Sequence, residues 1–378
     1  MFTTPQSIRS EVRKLKAEQP QLRMRDIAQT LGLSEAALVA SACADTESPG
    51  TIRLTTDFMA QFAALGRLGR VMALTRNVCA VIEKLGVYGE LESTGHASQI
   101  LGDEIDLRIF FHRFHVAFAV CTEGPRGPQR SLQFFDARGD ALHKVHLLPE
   151  SNGDAFAQFV SAFKSPDQSP LQPDLQPDLQ TVLPTATVAS DLSAQAAISD
   201  AGIDVSGLRT AYSQMKDTHE FFGLLRRFQV RRTQALRLLG PDAARPVDRL
   251  SLRPLLQAAA ESELPIMIFV GSPGVIQIHS GPVQTLKQYG SWFNIMDPGF
   301  NLHVHEPVLT HAWVVRKPTS EGTISSLELY DTEGEPVVLV FSKRKHGQAE
   351  SESWRALLER LPDLESADSC LDCETHGK

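Results

Sequence analysis

The feature that most constrains this 378-residue chain is that much of it is written twice. At a shift of 195 residues, "RVMALTRNVCAVIEKLG" (70–86) falls on "PIMIFVGSPGVIQIHSG" (265–281), and "DLRIFFHRFHVAFAV" (106–120) on "NLHVHEPVLTHAWVV" (301–315). Ser131, Asp136 and Gly139 then meet Ser326, Asp331 and Gly334, and Phe159 meets Trp354. Single matches are cheap, but one offset held in phase over so long a stretch marks an internal structural repeat. Each copy reads as several strands followed by a helix. "SLQFFDARGDALHKVHL" and "SLELYDTEGEPVVLVFS" place β-rich arms around a D-x-x-G turn, a hairpin signature. Helices of 10–15 residues do not alternate with the strands, so the pattern favours antiparallel sheets over a doubly wound fold. The expected class is α+β, with two tandem structural repeats, each a mainly antiparallel β-sheet with flanking helices.

Between the copies runs "SPDQSPLQPDLQPDLQ" (165–180), whose prolines deny it ladder and helix hydrogen bonds. An Ala/Ser-rich stretch follows. The expected division is an N-terminal repeat over 1–165, a Pro/Ala/Ser-rich linker over 166–202, a C-terminal repeat over 203–362 and a polar tail over 363–378. Helical segments precede each sheet, at 7–42 and 207–240. They match at an offset of 197 or 198, where His219 falls on Leu22 or Gln21. The architecture is duplicated and the histidine is not, which predicts one site, in the second half.

Composition narrows the classes. A net charge of −8 argues against a general nucleic-acid coat or a polybasic membrane binder. No apolar run reaches the roughly 18–20 residues that span a bilayer, so an integral membrane protein is not expected. The N-terminus shows no apolar signal region. Five scattered cysteines suit a reducing cytoplasm better than a disulfide framework. Cys370 and Cys373 form one C-x-x-C, too few ligands for a zinc site. No G-x-S-x-G, Walker or G-x-G-x-x-G sequence has the required flanks.

The stretch "MKDTHEFFGLLRRF" (215–228) carries the chemistry. Helical spacing puts His219, Phe222 and Arg226 on one face. Phe221 and Phe222 offer an apolar wall, and Arg226, Arg227, Arg231 and Arg232 a cationic rim. A mostly neutral imidazole with apolar surface and cations is the combination haem requires: an axial ligand, flat faces and partners for two propionates. The bland alternative is a solvated helix histidine. "DIAQTLGLSEAALVAS" (26–41) has the outline of a helix-turn-helix, but its second helix is small and apolar where base readers are polar and basic. Arg108 stands mid-strand between Leu107 and Ile109, where burial without a partner is costly, so it is expected to face an anion, a ligand or solvent. Arg316, Lys317, Lys343, Arg344 and Lys345 lie at strand ends, where solvation is the plain reading. His303 and His305 form an H-x-H pair without a third ligand at convincing spacing. The residues alone reach a duplicated α+β protein with one candidate site for a flat anionic ligand.

"RDIAQTLGLSEAALVA", "GRVMALTRN", "EKLGVYGELE", "DLRIFFHRFHVAFAV", "THEFFGLLRR", "IQIHSGPV", "DPGFNLHV" and "WVVRKPTSEGTISSLELYD" together resemble the bacterial cytoplasmic haem-utilisation family of hemin-degrading and haem-trafficking proteins. The resemblance runs from about residue 10 to 361, the linker apart. It implies one haem, with His219 as the iron's axial ligand and Arg108 as a distal, catalytic arginine reaching across from the first repeat. Phe222 is expected at the haem face, and Arg232, Lys317 and Arg344 as cationic contacts to its edge. It further implies cytoplasmic handling of imported haem, by onward delivery, by porphyrin ring opening that releases iron with an external electron donor, or by both. A cytoplasmic haem oxygenase and an inner-membrane haem importer are the implied partners. A pure chaperone and a haem-responsive DNA-binding regulator are the alternatives. This chain has Ile82 where members often have His, and Phe341 where they often have Tyr.

Overall fold

Strong local turn chemistry writes the same hairpin into both halves. Asp136 Oδ1 accepts the backbone N–H groups of Arg138 and Asp140, and Asp331 Oδ1 those of Glu333 and Glu335, all at 2.9 Å. Gly139 and Gly334 complete the turns at φ 83° and 79°, where a side chain is strained. Each turn follows a bulge, at Phe134/Phe135 and at Leu329/Tyr330. The computed structural model describes residues 4–43, 50–93, 95, 97–124, 127–169, 199–344 and 348–364. Most of the proline-rich connection, Lys345 and the C-terminal cysteines lie outside the described residues.

The chain divides into two compact units. The first takes residues 1–77 and 81–186, together with 270–278. Its main sheet runs, in order, Thr51–Arg53, Val116–Gly124, Gly127–Phe135, Ala141–Leu147, Val71–Arg76 and Ala80–Gly86, every pair antiparallel. Leu91–Ser93, Ser98–Ile100, Asp106–Ile109 and residues 275–278 also pair in that order, antiparallel, with Val275 opposite Ile109. The second unit takes 78–80, 187–269 and 279–378. Its main sheet runs Ala244–Val247, His311–Thr319, Gly322–Tyr330, Pro336–Ser342 and Ile266–Gly271, again antiparallel. Leu286–Tyr289, Trp292–Asp297 and Phe300–His305 pair beside each other as a meander. The fold is therefore α+β, with two repeats of mainly antiparallel sheet flanked by helices. The strand pairs Val116–Gly124 and His311–Thr319, Gly127–Phe135 and Gly322–Tyr330, and Ala141–Leu147 and Pro336–Ser342 all keep the 195-residue offset.

Burial explains the helices. In the first unit, Phe62 sits fully buried against Phe111, Phe114 and Phe134, with ring centroids 4.9–5.6 Å apart. Burying one such ring contributes roughly 1.5–3 kcal/mol. The helices Met24–Leu31 and Glu35–Ala40 meet through Gly32 in the left-handed region, as the helix-turn-helix outline suggested. All six residues of Glu35–Ala40 are buried, and Ala36, Val39 and Ala40 pack on Phe118 and Phe135. The helix that would read bases is thus committed to its own sheet. In the second unit, the helices Val205–Ser213, Glu220–Phe228 and Arg232–Leu239 cover the sheet face carrying Val315 and Tyr330. The closing helix Glu352–Glu359 seats Trp354, fully buried, whose Nε1 donates to the Ser325 carbonyl at 3.0 Å. Among the described residues no helix is long and apolar enough to cross a membrane.

Candidate functional site

His219 stands at the start of Glu220–Phe228, as its N-cap residue. Its ring is held from behind. Asp217 Oδ1 accepts the His219 backbone N–H at 2.7 Å and lies 2.6 Å from His219 Nδ1. The hydrogen bonds with His219, and the charges of His219 and Arg344, keep the Asp217 carboxyl below its usual range despite the opposing effect of desolvation. An ionised carboxylate only accepts, so it holds a proton on Nδ1, and in the neutral ring the Nε2 lone pair is left for a ligand. The His219 side chain is 89 % exposed.

The two phenylalanines part company. Phe221 is buried and meets the Tyr212 ring edge-on at 5.7 Å, whereas Phe222 is 36 % exposed. Leu224 and Leu225 follow Phe221 into the core. The helix therefore turns one apolar stripe inward and leaves His219 and Phe222 outward.

Beneath them lies a buried charge cluster centred on Glu328, which the sequence reading did not single out. Arg232, at the first turn of its helix, donates from Nη2 to Glu328 Oε2 and from Nε to the Tyr330 hydroxyl, both at 2.8 Å. Lys317 donates to Glu328 Oε1 at 2.5 Å, and the Ser326 hydroxyl donates to the same oxygen at 3.1 Å. Tyr330 in turn donates to Glu328 Oε2. Burial alone would raise the Glu328 carboxyl, yet Arg232, Lys317 and Tyr330 hold it well below the usual carboxylate range. Burial pulls the Lys317 ammonium down from its ordinary value, with Glu328 opposing. Burial also works against the Arg232 charge, but Glu328 and Tyr330 more than offset it. Two cations around one anion leave one positive charge in excess. The Arg232 guanidinium lies 5.4 Å from the Phe222 ring centroid and 5.5 Å from that of Phe221, within cation–π range.

Arg344 donates to Glu321 Oε2 at 3.0 Å and to the Gln348 carbonyl at 3.2 Å. Its charge is felt at Asp217, which places it on the His219 side of the unit. Phe341 faces Phe269 at 5.1 Å, in the place where a tyrosine was the family expectation. His219, Phe222, Arg232, Lys317 and Arg344 thus all belong to the second unit. Arg232 and Lys317 are turned inward on Glu328 rather than out to solvent.

Arg108 belongs to the first unit, on Asp106–Ile109, where it ion-pairs with Asp106 and is 32 % exposed. Burial raises the Asp106 carboxyl, against the pull of Arg108. The mid-strand arginine therefore has its anion two residues away on the same strand face. His303 and His305 of the H-x-H pair contact Asn294 and Ser291, at 2.7 and 3.1 Å. Among the described residues no group of three or more His, Cys, Asp or Glu could hold a metal ion. Ile82 is fully buried.

Two signals for the missed residues were present. Asp217 stands two residues before the histidine, in D-x-H, which is Asx-turn spacing. Glu328 sits in "SLELYD", where strand alternation reads it as either face. Only the helices packed above decide that it is inside.

A duplicated sheet whose second copy sets an outward imidazole at a helix start defines a class that the comparisons identify. The family model described as the haemin-degrading HemS.ChuX domain matches twice, at residues 32–163 and 229–361, and the chain belongs to that family. The hemin transport protein HmuS of Yersinia pestis is 35 % identical over 347 residues, covering 92 % of this chain and 94 % of HmuS. The crystal structure of holo-PhuS, a heme-binding protein from Pseudomonas aeruginosa, superposes with a TM-score of 0.87 at 40 % identity, covering 96 % of this chain and all of PhuS. The heme degrading enzyme ChuS of Escherichia coli O157:H7 gives 0.83 at 30 % identity, over 95 % and 99 % of the two chains.

Proposed function

We propose that this chain binds haem through His219 and handles it in the cytoplasm for onward delivery. The observation that carries the proposal is the imidazole at the helix start: Nδ1 is engaged by Asp217, and Nε2 is exposed beside the half-exposed ring of Phe222. That donor set fits haem iron, which takes a neutral imidazole nitrogen on one axial position. The surroundings fit as well. Phe222 supplies apolar surface, the Arg232–Glu328–Lys317 cluster carries one excess positive charge for an anionic edge, and Arg344 adds another cation on the same side. When bound, haem supplies an iron centre. The protein's own residues hold it, orient it and balance its carboxylates.

Arg108 is proposed as the residue that would act on ligands of the bound iron, as the family resemblance implies. An inner-membrane importer as donor and a haem oxygenase as acceptor belong to the same proposal. So do the repeat boundaries at 1–165 and 203–362, the linker at 166–202 and the tail at 363–378. Ring opening by the chain itself is the second reading, supported by its likeness to ChuS, a heme degrading enzyme.

Haem titration of wild type against His219→Ala and Arg108→Ala tests the assignments. His219→Ala should lose the histidine-ligated spectrum and weaken uptake by more than the roughly 10–100-fold typical of losing an outer-shell partner. Arg108→Ala should keep uptake and change the exchange of ligands such as azide. An unchanged His219→Ala spectrum removes the proposal. Aerobic reduction with catalase present separates the two readings. Delivery leaves the Soret band intact and passes haem to an apo-oxygenase, whereas ring opening removes the band and yields an open tetrapyrrole.

A further inference from the structure

Resting on that reading, we infer that Asp217 is a positioning residue that fixes the His219 tautomer and tunes the donor strength of Nε2. The geometry is specific. One carboxylate oxygen, Oδ1, receives both the backbone N–H of His219 and its ring Nδ1–H, at 2.7 and 2.6 Å. The first bond is an Asx turn that sets where the residue enters the helix; the second sets the ring. With both anchored on one atom, the imidazole plane is tied to the backbone of its own helix start.

The consequence is chemical rather than structural. In free histidine the Nε2–H tautomer predominates, and a ligand at Nε2 must then displace that proton. Here the proton already sits on Nδ1, so Nε2 presents its lone pair without rearrangement. A carboxylate accepting from Nδ1–H also lends the ring imidazolate character, which favours the ferric over the ferrous state. Both side chains are largely exposed, at 89 % and 61 %, and an exposed pair of this kind adds little to folding stability. Changes in ligation can therefore be read apart from changes in fold.

The test uses the full chain and three variants: Asp217→Ala, Asp217→Asn and His219→Ala. In the haem-free protein at neutral pH, nitrogen-15 NMR of the ring should show the Nδ1–H form in wild type and a return toward Nε2–H in Asp217→Ala. In the haem complex, Asp217→Ala should raise the ferric/ferrous potential, lower the iron–histidine stretching frequency and weaken affinity by about tenfold or more. Asp217→Asn keeps an acceptor and loses the charge, so it should restore the tautomer while leaving the potential raised. A wild-type tautomer and potential in Asp217→Ala overturn the inference, provided His219→Ala has lost the histidine-ligated spectrum. If His219→Ala keeps that spectrum, the ligand assignment itself fails. A purely structural Asp217 would change helicity or melting temperature and leave the potential where it was.

Discussion

The first position of the helix that docks on each main sheet is Glu35 in the first unit and Arg232 in the second. Glu35 pairs with Lys144 on Ala141–Leu147 at 2.5 Å, and Arg232 with Glu328 on Gly322–Tyr330 at 2.8 Å. The residue in the first unit that corresponds to Glu328 is the neutral Gln133, which lies directly across from Lys144. The helix-to-sheet ion pair is thus retained in kind with its polarity reversed. Lys317 makes the second version a triad with surplus positive charge; its counterpart in the first unit is Thr122. The duplicated scaffold accepts either sign, and only the second copy joins the surplus to an outward histidine.

A second contrast runs the other way. The first unit buries a polar chain in which Gln277 Nε2 donates to the Ala73 carbonyl at 3.0 Å, leaving Gln277 Oε1 to accept from Thr75. Thr75 must then accept from His143 Nδ1, and His143 Nε2 accepts from the Tyr88 hydroxyl at 2.6 Å. The corresponding residues of the second half are Val270, Val338 and Val283, all buried, and Gln277 itself matches Ile82. One copy has a hydrogen-bonded core relay where the other has aliphatic packing.

The largest expected effect comes from the charge hub. Glu328→Ala leaves two buried cations uncompensated and should cost about 3–5 kcal/mol in urea unfolding. Glu35→Ala orphans only one and should cost about 1–3 kcal/mol. Equal losses would break the contrast. Because the folded Glu328 carboxyl is depressed, its contribution is complete above the unfolded value of about 4.3 and fades as pH falls below it.

Next in size is His143→Val, the residue of the second copy. Leaving Tyr88 and Thr75 without their partner should cost about 2–3 kcal/mol at pH 7. Burial, with a smaller effect from His146, pushes the His143 imidazole down to about 3. The unfolded chain therefore binds the extra proton first, and wild type should lose stability as pH falls from about 6.5 toward 3. The variant should show a flatter acid limb over that window, measured by urea midpoints at stepped pH.

The smallest effect tests the turns. Gly334→Ala should cost about 1–2 kcal/mol for its left-handed backbone. Gly139→Ala should cost more, since an added Cβ would collide with the Ser34 side chain, whereas at Gly334 it would meet Thr233 Oγ1 at 3.0 Å. Paired thermal melts measure the difference.

The repeat was legible because its markers are local: turn aspartates, turn glycines and alternating strands recur at one offset. His219 stood out because it breaks the duplication. Glu328 was not legible, since strand alternation allows it either face until helices close over it. Phe221 and Phe222 looked alike in sequence, and helix phase sends one into the core and leaves the other at the surface. Nor does any local pattern show that residues 270–278 belong to the first unit, because strand register across that distance is a long-range choice.

That loan of nine residues sets a schedule for synthesis. At about 5–20 residues per second, on the order of ten seconds separates emergence of the last main-sheet strand of the first unit from arrival of residues 275–278. Until then one edge of Asp106–Ile109 has no neighbour, a template for pairing with other nascent chains. Ribosome-bound chains stalled before residue 270 should be the ones that chaperones hold.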